Sequence, residues 1–285
     1  MIERAYAKLN LSLDVLGKME NGYHELSMVM QTVDFGDDLE LELTEDGSFW
    51  MSSGRSYLPC DDRNLSMRAA KLFLAGTGLG LRIATTKRIP VCAGMAGGSA
   101  DAAAVLRGLN KLTGARRSYE ELCALGLQIG SDVPFCIRGG TALAEGRGER
   151  LTALPPLPDC FIVICKPEFA LSTPELFGKI DARKSRIRPD TAGILAALER
   201  RELSAVARRM YNVFEDVLTR REDAVFAIKS ELLSQGALGA AMTGTGSAVF
   251  GLFSGEAAAR RACGVLSAAY PECYLTRPAG PAKIQ

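Results

Sequence analysis

The chain has 285 residues and a formal net charge of +1; 47% of its residues are hydrophobic and 24% are charged. This length supports one large or two ordinary domains with a substantial core, and a charge so near zero argues against a protein that coats nucleic acid or binds membranes through a basic surface. No apolar run reaches membrane-spanning length and no signal-peptide pattern is present, so we expect a cytoplasmic protein with no nucleic-acid partner and no membrane partner.

The N-terminal segment predicts a strand with one apolar and one polar face. Over residues 7–15, four aliphatic side chains alternate with Lys8, Asn10, Ser12 and Asp14. Alternation alone leaves two interpretations open: the polar face is solvated, or it lines a site.

Two further strand patterns follow a turn framed by glycines. Residues 26–33 predict a second strand, and in residues 38–46 three leucines alternate with acids that we expect to face solvent. A helix is predicted to begin near Asp61 and Asp62 and to end at Gly76.

The stretch from Pro90 to Asn110 organises the chain. Residues 81–89 have the β-branched content of a strand, and apolar residues after the stretch recur at helical spacing as far as residue 112. The turn between them consists of Gly94, Met95, Ala96, Gly97, Gly98 and Ser99. A strand that passes through glycines into a helix N-terminus presents unpaired N–H groups along the helix dipole, which favours phosphate binding. Ser99 is placed to cap the helix or to offer its hydroxyl to a phosphate or a metal.

The glycines of this stretch could instead serve only close packing of the helix on the strand. Against that role, three glycines, a serine and an alanine-rich helix start coincide here. The stretch also lacks the spacing of two common nucleotide-binding motifs. A P-loop needs a lysine after Gly98, and a dinucleotide site needs G-x-G-x-x-G, whereas the spacing here is G-x-x-G-G.

The remainder of the chain alternates helices and strands. Ser118 and Glu121 form a capping-box pattern for a helix to about residue 128, and Asp132, just before Pro134, has the position of a helix N-cap. The further predicted elements are a hairpin turning at 146–148, a buried strand at 160–167, helices over 191–210, 213–234 and 256–269, a strand–turn–strand unit over 240–253 and a last strand at 273–278.

Clustered prolines in residues 154–159 mark the best domain boundary. We therefore predict an N-terminal domain at 1–154 and a C-terminal domain at 155–285, each of α+β class with layered sheets and helices. The eight cysteines form no C-x-x-C pair and are expected to be reduced and mostly buried. With His24 as the single histidine, a zinc site or a Ser-His-Asp triad is poorly supplied.

Seven collinear segments resemble the GHMP family of small-molecule kinases. They are AKLNLSLDVLGKMENGYHEL (7–26), DRNLSMRAA (62–70), KRIPVCAGMAGGSADAAA (87–104), GSDVPF (130–135), GGTALAEGRGE (139–149), STPELF (172–177) and MTGTGSAVFG (242–251). Asn-Gly-Tyr-His-Glu-Leu at 21–26 resembles the branch of the family whose acceptor is cytidine diphosphate methylerythritol, rather than homoserine or mevalonate. Ala96 and Ala100 depart from the family pattern, in which many members carry Gly and Ser.

The resemblance implies a two-domain α+β fold with the active site in the interdomain cleft. It implies an ATP-dependent kinase of the non-mevalonate isoprenoid pathway, with Mg2+ bridging the ATP phosphates and Ser99 as a possible metal ligand. Asp132 matches the catalytic acid, which takes or orients the proton of the acceptor hydroxyl, and Lys8 matches the residue that neutralises charge beside it.

The resemblance also assigns binding residues. Those expected around ATP are Asn64, Lys87, Pro90, Val91, Cys92, Ala93, Gly94, Met95, Ala96, Gly97, Gly98, Ser99 and Ala100. Those expected around the acceptor are Asn10, Tyr23, His24, Thr173, Phe177, Gly244, Thr245, Gly246 and Ser247. The rings of Tyr23 and Phe177 are expected to sandwich cytosine, and His24 is expected to contact it. Asp101 either supports the metal or orders the loop.

Three alternatives stay open at this level. A kinase of homoserine or mevalonate would lack a use for Tyr23 and His24. A nucleotide-binding protein without catalysis would not require both Lys8 and Asp132. A nicotinamide-dependent oxidoreductase lacks its fingerprint glycines. Oligomeric state is not indicated by the sequence.

Overall fold

The computed structural model describes residues 1–183 and 187–282. The strands are β1 (Ile2–Lys18), β2 (His24–Thr44), β3 (Phe49–Ser53), β4 (Gly80–Thr86), β5 (Thr141–Gly146), β6 (Arg150–Ala153), β7 (Phe161–Lys166), β8 (Tyr211–Asn212), β9 (Gly239–Met242), β10 (Val249–Phe253) and β11 (Glu272–Thr276). The helices are α1 (Leu65–Leu74), α2 (Gly97–Leu112), α3 (Tyr119–Ile129), α4 (Val133–Arg138), α5 (Thr173–Asp181), α6 (Thr191–Glu199), α7 (Leu203–Ala207), α8 (Asp223–Ser234) and α9 (Glu256–Ser267). Helices and strands alternate in both halves, which confirms the α+β expectation.

The strands form two sheets. The larger has seven strands in the order β3-β4-β2-β1-β8, with β5 paired to β2 and to β6, and the smaller has the order β11-β7-β10-β9. The long strand β2 pairs antiparallel with β5 along residues 26–31 and with β4 along residues 38–44. On its other edge, β1 pairs antiparallel with both stretches. β8 brings a piece of the C-terminal half alongside β1, where Ser12 pairs with Tyr211.

Helix α2 is the central helix of the N-terminal half. Most of it is buried, and it packs against α1, α4 and strand β1. At Gly108 the approach is so close that an added Cβ would lie 2.3 Å from a methyl carbon of Leu41 on β2. This packing fixes the direction of α2, and therefore the place to which its N-terminus points.

Two predicted helices need correction. The helix predicted over 191–210 ends at Glu199 and resumes as α7, because Arg201 adopts a left-handed φ of 56° that no α-helix continues through. The helix predicted over 213–234 is regular only in α8; two 3₁₀ turns precede it, Val213–Val217 and Arg220–Glu222. The side chains of Asn212 and Thr219 accept hydrogen bonds from backbone N–H groups two residues further on, and each therefore caps the start of a separate 3₁₀ turn.

All eight cysteines are free thiols, but the prediction that most are buried is wrong: only Cys160 and Cys165 are buried, while Cys60 and Cys92 are exposed. Over the described ranges 1–183 and 187–282, no helix is both long enough and apolar enough to cross a membrane.

Candidate active site

A cavity of about 1030 Å³ is lined by residues from both halves of the chain. It contains all but two of the residues that the sequence assigned to ATP and acceptor binding. The exceptions are Ala100, which is buried in helix α2, and Ser247, whose hydroxyl donates to the carbonyl of Phe169 at 2.6 Å. Neither Ala100 nor Ser247 lines the cavity.

The glycine-rich turn leads directly into helix α2. The helix begins at Gly97, two residues before Ser99, so the prediction that Ser99 caps it is wrong. Ala96 occupies the N-cap position with a left-handed φ of 57° and makes no side-chain cap bond. Since the first N–H groups of an α-helix have no partner within it, the start of α2 offers donors and a positive dipole end to the cavity.

A second glycine loop clamps the first. Gly94 has a φ of 73°, and a Cβ there would lie 2.0 Å from the carbonyl oxygen of Thr243. The Thr243 hydroxyl donates to the Gly94 carbonyl at 3.2 Å, and the N–H of Ala248 donates to the carbonyl of Ala93 at 3.3 Å. Residues 93–96 and 243–248 are thus held together although about half the chain lies between them.

The polar face of β1 is buried in this junction rather than solvated. Asn10 is fully buried, and its Oδ1 accepts from the Lys8 ammonium at 2.6 Å and from the N–H of Gly244 at 3.0 Å. The N–H of Asn10 donates to the hydroxyl of Thr243 at 3.1 Å. Ser12 and Asp14 are buried as well. The solvated interpretation of this strand is excluded.

Lys8 and Asp132 line the same cavity. Lys8 is buried, with 4% of the residue exposed. Its ammonium donates to Asn10 and to the carbonyl of Gly94 at 2.8 Å. Burial lowers the pKa of Lys8, and the negative charge of Asp132 partly opposes that fall. Asp132 occupies the N-cap position of α4 with Pro134 in the first turn, yet its carboxylate makes no cap bond. The structural role suggested for it is absent, and the carboxylate stays available to the cavity.

Lys87 is held between two buried acids. Its ammonium donates to Asp101 at 2.7 Å and contacts Asp37; the three side chains are 6%, 7% and 0% exposed in the order Lys87, Asp101, Asp37. Burial would lower the pKa of Lys87, but the attraction of the two carboxylates outweighs it and the net shift is upward. Burial raises the pKa of Asp101 to about 7, against the opposing pull of Lys87. A cation is therefore fixed beside the start of α2.

The other end of the cavity is aromatic. The imidazole of His24 stacks on Phe177 with ring centroids 4.4 Å apart, and its Nε2 lies 2.8 Å from a carboxylate oxygen of Asp181. Phe177 in turn packs edge-on against Phe214 at 5.0 Å. The exposed ring of Tyr23 faces the guanidinium of Arg147 at 4.9 Å.

Sequence reasoning missed several of these residues. Asp37 has a readable signal, because it lies at the same parity as the buried Leu39 and Leu41, so the strand alternation places it on the apolar face. Arg147, Asp181 and Phe214 carry no such signal, since their side chains reach the cavity from a hairpin tip, a helix end and a 3₁₀ turn. Asn64 lines the cavity, but its side chain is engaged in capping α1 and in donating to the carbonyl of Pro59.

Comparison with known families identifies the class. The family model "GHMP kinases N terminal domain" matches residues 64–140, and "GHMP kinases C terminal" matches residues 194–272. The chain belongs to the GHMP kinase family.

Individual relatives narrow this further. The chain is 43% identical over 279 residues to a 4-diphosphocytidyl-2-C-methyl-D-erythritol kinase of Clostridium botulinum (strain Kyoto / Type A2), covering 97% of this chain and 99% of that protein. It is equally similar, at 43% over 278 residues and 96% of each chain, to the protein of that name from Clostridium perfringens (strain SM101 / Type A). A crystal structure of 4-(cytidine 5'-diphospho)-2C-methyl-D-erythritol kinase superposes with a TM-score of 0.83 at 35% identity, covering 98% of this chain and 100% of that one. A homoserine kinase from Cytophaga hutchinsonii, at 20% identity and a TM-score of 0.74, shares the fold over 98% of this chain and 95% of its own.

Proposed function

We propose that this GHMP kinase transfers the terminal phosphoryl group of ATP to the 2-hydroxyl of 4-diphosphocytidyl-2-C-methyl-D-erythritol, a step of the non-mevalonate isoprenoid pathway. The observation that carries the proposal is one cavity that joins a helix N-terminus for phosphate, a buried Lys8 beside Asp132, and an aromatic end suited to a base. The names of the relatives at 43% identity support the choice of acceptor.

The glycine-rich turn is proposed to hold the ATP phosphates. Phosphoryl transfer depends on positioning and charge neutralisation more than on covalent chemistry. The N–H groups at the start of α2 supply the donors, and the clamp between Gly94 and Thr243 keeps the turn in one conformation before ATP arrives. Lys87 adds a fixed positive charge at the same place.

Lys8 and Asp132 are proposed to act on the acceptor hydroxyl. As the hydroxyl oxygen bonds to the terminal phosphorus and the bond to the bridging oxygen breaks, the hydroxyl proton passes to the Asp132 carboxylate, or is first aligned by it, and ADP departs. The Lys8 ammonium lowers the energy of the charge that develops on the attacking oxygen. Both roles require the two groups to face one cavity, as they do.

Mg2+ is proposed to accompany ATP, with Ser99 as the protein ligand. Within residues 1–183 and 187–282 no group of three or more His, Cys, Asp or Glu residues is arranged to hold a metal. Mg2+ commonly binds through substrate phosphates with one or two protein ligands, and when bound it would neutralise phosphate charge during transfer. Ser99 and Asp101 are two residues apart on α2 and do not face each other. Because Asp101 is paired with Lys87, we assign the metal contact to Ser99, and the role of ordering Lys87 to Asp101.

The aromatic end is proposed to receive the cytosine. Tyr23 and Phe177 both line the cavity, but the face of Phe177 is covered here by the imidazole of His24. A base stacked on Phe177 therefore takes the place of the imidazole, and His24 moves to the edge of the base, where its ring nitrogens hydrogen-bond. The loop at Gly244, Thr245 and Gly246 is proposed to close over the diphosphate, with Thr173, whose hydroxyl lies 2.8 Å from that of Thr245.

The predicted division at residue 154 remains a proposal, with the site between the two domains. It is supported by the cavity lining, which draws on residues 8–147 and on residues 171–246.

A substrate panel tests the function. ADP release from ATP and Mg2+ is measured with 4-diphosphocytidyl-2-C-methyl-D-erythritol, homoserine and mevalonate as acceptors. We expect turnover with the cytidylylated acceptor alone; turnover with homoserine or mevalonate instead would replace the proposed substrate, and ATP binding without transfer to any acceptor would favour a non-catalytic protein. Asp132→Asn should abolish turnover, whereas Asp159→Asn, an exposed acid outside the cavity, should not.

A further inference from the structure

Three buried charged groups are not fully explained by the mechanism above. The side chains of Asp37, Lys87 and Asp101 are at most 7% exposed, and removing charges from water is costly unless they are well paired. Lys87 and Asp101 line the cavity, whereas Asp37 does not line it but bonds to two residues that do, Lys87 and Ile89.

Asp37 holds the segment that leads out of β4. One of its oxygens accepts from the backbone N–H of Arg88 at 2.5 Å and from that of Ile89 at 2.8 Å, and the other contacts the Lys87 ammonium. Ladder pairing between β2 and β4 begins at Asp38 and Thr86, so the next residues of the β4 segment turn their N–H groups to this carboxylate instead. The carboxylate therefore fixes both the backbone that enters the glycine-rich turn and the amine of Lys87.

The contact with Asp37 holds the ammonium of Lys87 at the start of α2. Its Nζ lies 3.5 Å from the position that a Cβ on Gly97 would occupy, and Gly97 is the first residue of that helix. Asp101, buried in the same helix, binds the ammonium through one oxygen. The ammonium offsets the charge of Asp101, which would otherwise repel a phosphate at the helix N-terminus.

We propose that Asp37 is a positioning residue for the nucleotide: it never contacts ATP, but it holds Lys87 where the ammonium favours binding of the ATP phosphates. The inference rests on the proposed ATP site. It is specific to the nucleotide end of the cavity, because neither Lys8 nor the aromatic end contacts Asp37.

Asp37→Asn tests the charge separately from the backbone anchor. Asparagine retains an oxygen that accepts from the N–H groups of Arg88 and Ile89, but it brings an NH2 group toward the ammonium of Lys87. Asp38→Asn is the matched control, because Asp38 is the next residue of β2 and pairs with Arg4 and Arg88 outside the cavity. Calorimetry of the full-length protein should give an ATP Kd weakened about tenfold or more in Asp37→Asn and changed less than about twofold in Asp38→Asn. The KM of the acceptor should change less than about twofold in both.

A double-mutant cycle with Lys87→Met tests whether Asp37 affects ATP binding through Lys87. If Asp37 acts through Lys87, Asp37→Asn has no further effect on the ATP Kd once Lys87 is methionine, and an additional weakening of about tenfold would overturn the proposal. Should Asp37→Asn alone fail to fold, the double variant, which carries no unpaired buried ammonium, is compared with Lys87→Met and decides the same question. A wild-type chain that binds no ATP would overturn the proposed function itself. A wild-type chain that binds ATP while Asp37→Asn keeps the same Kd would overturn only the role of Asp37.

Discussion

Replacing Lys8 with methionine should abolish most of the turnover while leaving a folded protein. Methionine keeps an apolar stem of similar length, but it removes the ammonium that donates to Asn10 at 2.6 Å and to the Gly94 carbonyl at 2.8 Å. Loss of one preorganised donor at a developing oxyanion costs about 2.7–4 kcal/mol, so we expect kcat to fall about 100-fold to 1,000-fold.

The effect on stability should be much smaller than the effect on turnover. Each of the two acceptors loses a hydrogen bond from a charged donor, worth about 1.5–3 kcal/mol, but each keeps another donor: the N–H of Gly244 for Asn10 and the hydroxyl of Thr243 for Gly94. The variant also no longer buries an ammonium whose pKa is lowered by desolvation. These contributions have opposite signs, so the free energy of unfolding should change by about 2 kcal/mol or less.

The pH dependence gives an independent check. Because the pKa of Lys8 is lower in the folded than in the unfolded chain, the unfolded chain binds more protons between the two pKa values. The contribution of Lys8 to stability is therefore smallest at low pH and rises with pH from the lowered pKa up to the ordinary one. Wild-type turnover should fall as pH rises through the lowered pKa, since the neutral amine supplies no charge, while the rise in stability is lost in Lys8→Met.

The assay couples ADP release to NADH oxidation at saturating ATP and acceptor, with thermal melts on the same samples. Lys166→Met is the matched control, because Lys166 is also a buried lysine but ends β7 outside the cavity, where it donates to the carbonyl of Pro167. Its kcat should stay within about twofold of wild type. A Lys8→Met protein that keeps kcat within about threefold of wild type would refute the assignment of Lys8.

Tyr23→Leu or Phe177→Leu should raise the KM of the cytidylylated acceptor about 5-fold to 150-fold by removing a stacking surface worth about 1–3 kcal/mol, and should spare the KM of ATP; equal changes in both KM values would count against a base at this end. Ala96→Gly should raise Tm by about 1–4 °C, because an alanine in the left-handed conformation costs the folded state about 1–2 kcal/mol. The larger conformational entropy of glycine in the unfolded chain offsets part of this gain in stability. A lower Tm in differential scanning calorimetry would contradict the strain at this residue. Excess chelator should stop ADP release and added Mg2+ should restore it, and Ser99→Ala should raise the Mg2+ concentration needed for half-maximal rate about fivefold or more while Ser234→Ala, on α8, leaves it unchanged. An unaltered Mg2+ requirement in Ser99→Ala would remove that residue as the ligand.

Local patterns predicted most of the elements that carry the site. The strand containing Lys8 and Asn10, the turn into α2, the capping box of α3 and the hairpin at residues 146–148 all follow from neighbouring residues, because turns, caps and periodicity are short-range properties. The predictions of single helices over 191–210 and 213–234 were wrong because they used apolar spacing alone. That spacing is helical, but the left-handed φ of Arg201 interrupts the first helix, and hydrogen bonds of the Asn212 and Thr219 side chains to the backbone interrupt the second.

By itself, the sequence determined the motifs of its family, and it predicted a phosphate-binding turn and assigned a lysine and an aspartate to phosphoryl transfer. Only the tertiary structure decided that the polar face of β1 is buried, that Gly94 is clamped by Thr243, and that Asp37 holds Lys87. Each of these depends on residues at least 50 positions apart in the chain, as with Lys87 and Asp37. Whether a polar side chain is solvated or enclosed depends on what folds over it, and no local pattern contains that information.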